Sequence, residues 1–545
     1  MTAPNEHIDY TSWSTTDLIS RVTALEAQLR AQITVHSTLP SPAFKKPKKP
    51  SKPFDPSRYH TRLIALKFAY LGGNYNGFEH HSNNKTPLPT IEEELWKALR
   101  KCKLIFPSFK EGRSEEEVEW EGCEYSKCGR TDRGVSAFGQ VIGVRVRSGR
   151  PKVKEREVDV GGTDAGDTSN KEDSDQRSAE PAFDPIKDEL PYIQLLNRVL
   201  PPDIRILAWC SNPPENFSAR FNCKERRYRY FFTNPAYPPL PGTGIGDGWL
   251  DIEAMHEAAQ KYEGLHDFRN FCKIDASKQI TNFERRIFHA GIHAVGPEEE
   301  PANLGLVSNG ETKAAHHGPQ LYWFEVRGSA FLWHQVRHLI AVLFLVGQGL
   351  EKPRVVDDLL DVEKTPSRPL YDMASDVPLV LWDCIFPDPQ ILESGQADHG
   401  NSSNESGYED ALNWIHVGAS LDNQNPYKRN PSGIEDGKYG RGGVMEDLWA
   451  LWRKRKMDEI LAGSLMNVVA RQGIAPSARE EDLRGKSDRT YDGSELPRTV
   501  GTYTPIGRKA RTEGFEVVNR RYAERKGLVG KDVGVGAEQS MDAGE

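Results

Sequence analysis

Cys128-Gly129-Arg130-Thr131-Asp132-Arg133-Gly134-Val135-Ser136-Ala137 sets one carboxylate between two arginines, with a glycine on either side of that charged core. Directly after it, from Gly139 to Val146, Ile142, Val144 and Val146 share one face while Val141 and Arg145 share the other. A period of two is the signature of a strand, so the decamer reads as a tight loop feeding a strand. Its glycines let the backbone turn, or approach a partner, where a Cβ would obstruct. Arg130 and Arg133 favour the ionised form of Asp132, because a nearby opposite charge stabilises a carboxylate. Asp132 is therefore a candidate nucleophile or base, and the two arginines are candidates for meeting phosphates. A structural Arg–Asp pair in a turn accounts for the same residues equally well, and the motif by itself does not decide.

Working upstream, Ile64, Leu66, Phe68 and Tyr70 alternate with Ala65, Lys67 and Ala69, a strand that stops at Gly72-Gly73. Thr90-x-x-Glu93 has the pattern of a capping box and opens a helix with Ile91, Leu95, Ala98, Leu99 and Cys102 inward. Strand, helix, loop, strand is the order of an α/β layer, a helix packed on a sheet. Downstream, residues 150–188 are poor in apolar groups and rich in Gly, Asp, Ser and Glu, an expected disordered insertion. A helix is expected near Tyr192 to Val199. Then Arg226 to Phe231 alternates, with Arg227 and Arg229 on one face and Tyr228 and Tyr230 on the other. An amphipathic strand with tyrosines in the core has this pattern, and so does a surface that stacks a base beside phosphates.

Asp251 to Gly264 reads as a helix, His266 to Lys273 as a polar-aromatic loop, and Arg285 to Val295 and Leu321 to Gly328 as strands. Phe331-Leu332-Trp333-His334-Gln335-Val336-Arg337 opens an apolar helix running to about Val346. A lone cation at its start, Arg337, needs a partner if buried. His334 and His338 stand four apart, as helical zinc ligands would, but position 335 is glutamine and no third ligand is evident, so no metal is expected. Val377 to Phe386 is a closing strand. A helix around Met445 to Leu461 is expected beyond it, then a polar tail in which Thr502–Ile506 and Asn519–Lys526 stand out as docking segments.

With 545 residues, 37% hydrophobic and 28% charged, the chain has room for more than one domain and for loop-rich excess. Thr16 is placed to cap a helix over 17–33, with Leu18, Val22, Leu25 and Leu29 on one stripe. Lys45 to Pro53 is a proline-interrupted basic linker, which suits an import signal, an RNA-binding arm or a plain solvated connection. The net charge of −8 argues against a nucleic-acid partner only until its distribution is read. Residues 157–189 carry −8 and residues 111–124 carry −6, which leaves +6 on the remainder. A mildly basic body with acidic inserts is compatible with RNA. Seven cysteines without a CxxC pair or a cluster with histidine point to a reduced, intracellular protein without a structural zinc site. Leu339 to Val346 is the longest apolar run, far short of a membrane span, and the polar amino terminus has no signal-peptide core.

Gly129-Arg130-Thr131-Asp132-x-Gly134-Val135-x-Ala137, with the Gly139-Gln140-Val141 strand after it, resembles the signature of TruA-type tRNA pseudouridine synthases. Asn197-x-x-Leu200-Pro201-x-Asp203-Ile204, Ala219-Arg220-Phe221 followed by Tyr228-Arg229-Tyr230, and the Phe331–Arg337 segment resemble further family motifs, in the family's order. The resemblance runs discontinuously from Arg62 to Phe386. Asn76-Gly77-Phe78-Glu79 and Phe268-Arg269-Asn270-Phe271-Cys272-Lys273 are similar to the eukaryotic subgroup that modifies positions 38 and 39 of the anticodon arm. The resemblance implies an α/β pseudouridine-synthase fold, two RRM-like halves around a mixed sheet with the site in the cleft between them. It implies Asp132 as catalytic residue, Arg337 as its partner and Tyr228 as the ring stacked on the base. Arg130, Arg133, Arg227 and Arg229 are then expected to bind the substrate. No cofactor is implied. The expected partner is tRNA, homodimers occur among bacterial relatives, and nucleus and cytoplasm are the expected locations. The expected division is an amino-terminal extension over 1–58, a catalytic domain over 59–386 and a largely disordered extension over 387–545. Synthases for other tRNA uridines and a non-catalytic RNA-binding protein on the same fold are the rival readings.

Overall fold

In the first half of the fold, β1 (Tyr59–Tyr70), α1 (Ile91–Lys101), β2 (Ser126–Lys127), β3 (Ser136–Pro151), α2 (Tyr192–Asn197) and β4 (Ile204–Cys210) follow one another as βαββαβ. The computed structural model describes residues 54–81, 86–109, 117–152, 183–239, 248–296, 319–388, 390, 408–419, 437–440, 442–473, 489–499 and 501–527. The helix expected over 17–33 and the basic linker over 45–53 lie outside them. The strands of this half take the order β4-β1-β3-β2, all antiparallel. A second half repeats the plan with one extra short strand. It comprises β5 (Glu225–Asn234), α3 (Ile252–Gln260), β6 (Gly264–Asp267), β7 (Glu284–Ala294), β8 (Gln320–Gly328), α4 (Gln335–Gly347) and β9 (Leu379–Ile385), in the order β9-β5-β8-β7-β6. The halves join through β3 and β9, which run parallel and pair Ser136 with Val380 and Ala137 with Leu381. The result is one mixed ten-stranded sheet, closed at its β4 edge by β10 (Trp414–His416).

Sequence pattern explains the elements that matter to the site. Thr90 caps α1 by accepting a hydrogen bond from Glu93 N, and the helix buries Ile91, Leu95, Ala98 and Leu99. α4 is apolar nearly all round and is buried nearly all round, as such a helix must be. Phe344 meets Tyr230 of β5 edge to face at 5.8 Å, and Leu339 O accepts a hydrogen bond from Tyr262 Oη. Among the described residues no helix is long and apolar enough to cross a membrane.

Two boundaries differ from the sequence expectation. The described residues include Phe183 to Leu190, within or next to the expected insertion, and Glu189, counted in the acidic stretch, is buried in the first half. Its carboxylate accepts from Ser148 Oγ at 2.7 Å, Gly149 N at 2.5 Å, Leu190 N at 2.8 Å and Arg62 NH1 at 3.0 Å. Burial alone would raise this carboxyl, but those four donors outweigh it and hold it below the ordinary glutamate value. The carboxy-terminal extension is also more than a tail. Tyr491 exchanges hydrogen bonds with the Gln348 amide at 2.8 and 3.1 Å, and Glu351 accepts from Tyr503 Oη at 2.7 Å and Ile506 N at 2.6 Å. α5 (Val355–Leu360) follows α4, and α6 (Val444–Ala470) is longer than its sequence pattern predicts, with Arg205 bonded to Asp447 at 2.7 Å near its start. α7 (Phe515–Lys526) returns to the second half through Asn519 Nδ2, which donates to Ile280 O at 3.0 Å. The stretches around Tyr491, Tyr503 and Asn519 lack a strong pattern of their own because their order depends on the surface they bond to, whereas α6 buries only Val444.

Deleting 157–182 while keeping 183–189 is expected to leave the urea midpoint unchanged, since that stretch offers few apolar groups to a core. Extending the deletion through Glu189 strips Arg62 of its carboxylate partner and should cost about 3 kcal/mol. Glu189→Gln should lose about 1–3 kcal/mol near neutral pH. A carboxyl depressed in the folded state contributes stability above its unfolded pKa and loses it as pH falls through the folded value. The gap between variant and wild type should therefore close on acidification. Equal midpoints for the two deletions would refute the boundary.

Candidate active site

The loop between β2 and β3 is held from several sides. Gln140, fully buried on β3, brackets Gly129 with its amide, accepting from Gly129 N and donating to Gly129 O, both at 3.0 Å. Thr131 shares a 2.7 Å hydrogen bond with Tyr70 Oη, and its carbonyl accepts from Phe78 N at 3.0 Å. Gly77 makes that approach possible: its φ is +86°, and a Cβ there would stand 2.9 Å from Thr131 O. Gly134, at φ +82°, closes the turn, with Val135 N donating to Asp132 O at 3.2 Å. Asp132 is thus presented from a loop whose neighbours are pinned.

Across from it, α4 begins at His334, which adopts the left-handed conformation with φ +61°. That conformation is costly for a side chain bearing a Cβ. It directs His334 Nε2 to 3.2 Å from Asp132 Oδ2. The carboxylate therefore sits by the amino end of a helix, where partial positive charge favours an anion. Arg337, one turn in, anchors Nε on Ala374 O at 2.8 Å. The adjoining Ser375 N donates to Asp492 O at 2.8 Å, so the carboxy-terminal extension braces the segment that holds Arg337. Tyr228, on β5, is buried with its ring edge to face with Phe331 at 5.1 Å.

Arg130, Asp132, Tyr228, His334 and Arg337 line one cleft, with Leu379 at the start of β9. The structure thus brings together four of the seven residues singled out from sequence. Arg130 also reaches Glu79 at 3.4 Å, and Glu79 bonds Lys127 at 3.0 Å. Burial would raise the Glu79 carboxyl, but Lys127 and then Arg130 hold it below its ordinary value. Arg133 is exposed and lies outside the lining of the cleft. Arg227 and Arg229 stand on the opposite face of β5 from Tyr228, committed within the protein. Arg227 bonds Glu225 at 2.7 Å, and Arg229 bonds Glu325 at 3.0 Å between the rings of Trp323 and Trp382, 4.4 and 4.2 Å away. The expected Asp132 partner was Arg337; the partner the geometry gives is His334. Sequence considered that histidine only as a metal ligand, because its left-handed backbone and its distant neighbour leave no local signal.

Two halves on a βαββαβ plan, the second with one strand more, with a carboxylate, an aromatic ring and cations converging where they join, are the build of a base-modifying enzyme. Residues 258–387 match the family model for tRNA pseudouridine synthase. A tRNA pseudouridine(38/39) synthase of Saccharomyces cerevisiae is 41% identical over 406 residues, covering 72% of this chain and 74% of the relative. The human protein of that name is 42% identical over 353 residues, covering 65% of this chain and 61% of the relative. A probable tRNA pseudouridine synthase of Caenorhabditis elegans is 33% identical over 347 residues, 63% of this chain and 72% of the relative. The chain belongs to the tRNA pseudouridine synthase family.

If the left-handed backbone at 334 is held against its own preference, His334→Gly and His334→Ala should differ. Both lose the imidazole, but glycine relieves the backbone, so the Gly variant should be more stable than the Ala variant by about 1 kcal/mol. Coincident urea melts for the two would show that the position is not strained.

Proposed function

We propose that the protein isomerises uridine to pseudouridine in tRNA, at positions 38 and 39 of the anticodon arm. The observation that carries this reading is the convergence of Asp132, Tyr228 and Arg337 on one cleft in a chain whose yeast and human relatives bear that name. The reaction breaks the C1′–N1 bond and forms a C1′–C5 bond, with the C5 proton lost and one gained at N1, so no oxidant or group donor is required. The target uridine leaves the stack to expose its glycosidic bond. Asp132 then either attacks the ribose or removes its C2′ proton. Tyr228 stacks on the freed uracil while it turns and is placed to assist removal of the C5 proton. Arg337, with Nε committed to Ala374, offers its terminal amino groups to the carboxylate and the nucleotide. Arg130 meets phosphate beside the cleft, and the exposed Arg133 supplies a second contact farther along the RNA. Fixed charges of this kind, in place before the reaction begins, are a large source of rate. Residence in nucleus and cytoplasm, supported by the basic segment over 45–53, and homodimerisation, an implication of the family resemblance, complete the proposal.

Asp132→Asn should abolish tritium release from tRNA carrying C5-labelled uridine while leaving tRNA affinity within a few-fold, because shape is kept and nucleophilicity is not. Measurable turnover would remove Asp132 from its role. Release confined to tRNA labelled away from positions 38 and 39 would reject the proposed specificity.

Arg337→Met should lose most of the rate, and Arg337→Lys should fall between Met and wild type, since lysine keeps the charge without the planar fork. A Met variant with wild-type kcat would place Arg337 outside the reaction.

A further inference from the structure

Cys128, Cys223 and Cys384 are far apart in sequence, yet their three sulfurs all lie within 4.8 Å of one another and all three residues are buried. Cys128 opens the Asp132 loop, Cys223 lies two residues before the start of β5, and Cys384 lies in β9. All are free thiols. Beside them sits Arg226, 5% exposed and paired with Cys384 in the β5–β9 ladder. Among the described residues its terminal amino groups donate to carbonyls: Ser329 O at 2.7 Å, Arg220 O at 3.2 Å and Cys128 O at 3.3 Å. Its Nε has no hydrogen-bond partner among the described residues. The adjacent carboxylate is already engaged, Glu225 bonding Arg227 Nε at 2.7 Å and Tyr408 N at 2.9 Å. A buried guanidinium favours negative charge on the groups beside it, and three cysteine sulfurs are what stand there.

We propose that Cys128, Cys223 and Cys384 bind one thiophilic divalent metal ion, with zinc as its occupant. All-sulfur donors select against magnesium and calcium and for zinc or other soft ions. The three cysteines bind Zn²⁺ as thiolates, any protons they hold passing to solvent, and the resulting unit carries one net negative charge, which Arg226 neutralises. Zinc–sulfur bonds of about 2.3 Å put sulfurs roughly 3.8 Å apart in a tetrahedral arrangement, so the trio has only to draw together by about 1 Å or less. A backbone carbonyl suits the fourth position, and Glu225 O already lies 3.3 Å from Cys223 Sγ. The ion staples three chain segments from both halves directly behind the Asp132 loop. It is a structural clamp, independent of which RNA the cleft accepts.

The full-length protein, produced in zinc-supplemented medium and purified without chelator, should carry about one zinc per chain by mass spectrometry of the metal. Replacing the zinc with Co²⁺ should produce thiolate-to-cobalt charge-transfer absorption in the near ultraviolet. Cys128→Ser, Cys223→Ser and Cys384→Ser should each lower occupancy on the order of tenfold, whereas Cys272→Ser, at a buried thiol outside the trio, should not. Wild-type protein with neither zinc nor the cobalt band overturns the proposal, as does occupancy that survives the triple serine variant. Should the serine variants fold poorly, the cobalt spectrum of the wild type decides alone.

Discussion

Two parallel pairings, Ser136 with Val380 and Ala137 with Leu381, hold the halves of the sheet together at the point where the Asp132 loop becomes β3. Leu381 is paired on its other side with Tyr228. One fully buried leucine therefore stands between the strand that carries the carboxylate's loop and the strand that carries the aromatic ring. Two strand spacings, roughly 9–10 Å, set the distance between those backbones. The same side chain packs against Gly129, where a Cβ would come within 3.2 Å of it. Loop, ring and the two halves share this seam, so their relative placement is a property of the sheet and not of any flexible connection.

The electrostatics are arranged around it with little redundancy. Asp132 is the carboxylate in the cleft lining, and it faces an imidazole and a helix start. Glu79 and Glu92 are occupied by Lys127. The other acidic groups near β5, Glu225 and Glu325, are paired with arginines on the far face. An anionic polymer can approach such a cleft because Glu79, Glu92, Glu225 and Glu325 are already compensated, even though the chain as a whole is acidic.

Much of this was legible in the sequence because it is local. The Asp132 loop and its strand, the Thr90 cap, the alternation of β5 and the apolar start of α4 are patterns within ten or fifteen residues. The facing of Arg227 and Arg229 could be read; their use could not, since Glu325, Trp323 and Trp382 lie some hundred residues away or more. His334 gave no sign that its backbone is left-handed, and Asp132 precedes it by two hundred residues. Glu189 looked like one more charge in an acidic run, although its four donors come from β1, β3 and Leu190, just before α2. The docked carboxy-terminal segments follow the same rule. A short polar stretch whose order depends on a remote surface carries no periodicity to reveal it.

The position of β9 in the sheet has a bearing on how the protein is made. Leu379 follows Asp132 by 247 residues, yet β9 lies in the middle of the sheet, between β3 and β5. During synthesis the first half can form its own layer while β3 still presents an open edge, and β5 does the same until β9 leaves the ribosome. Pairings so distant in sequence are slow to form, and an uncovered strand edge recruits other chains. A chain interrupted before residue 379 is therefore left with two unsatisfied edges in the middle of the sheet, while β9, the last strand of the two halves to be synthesised, covers both at once.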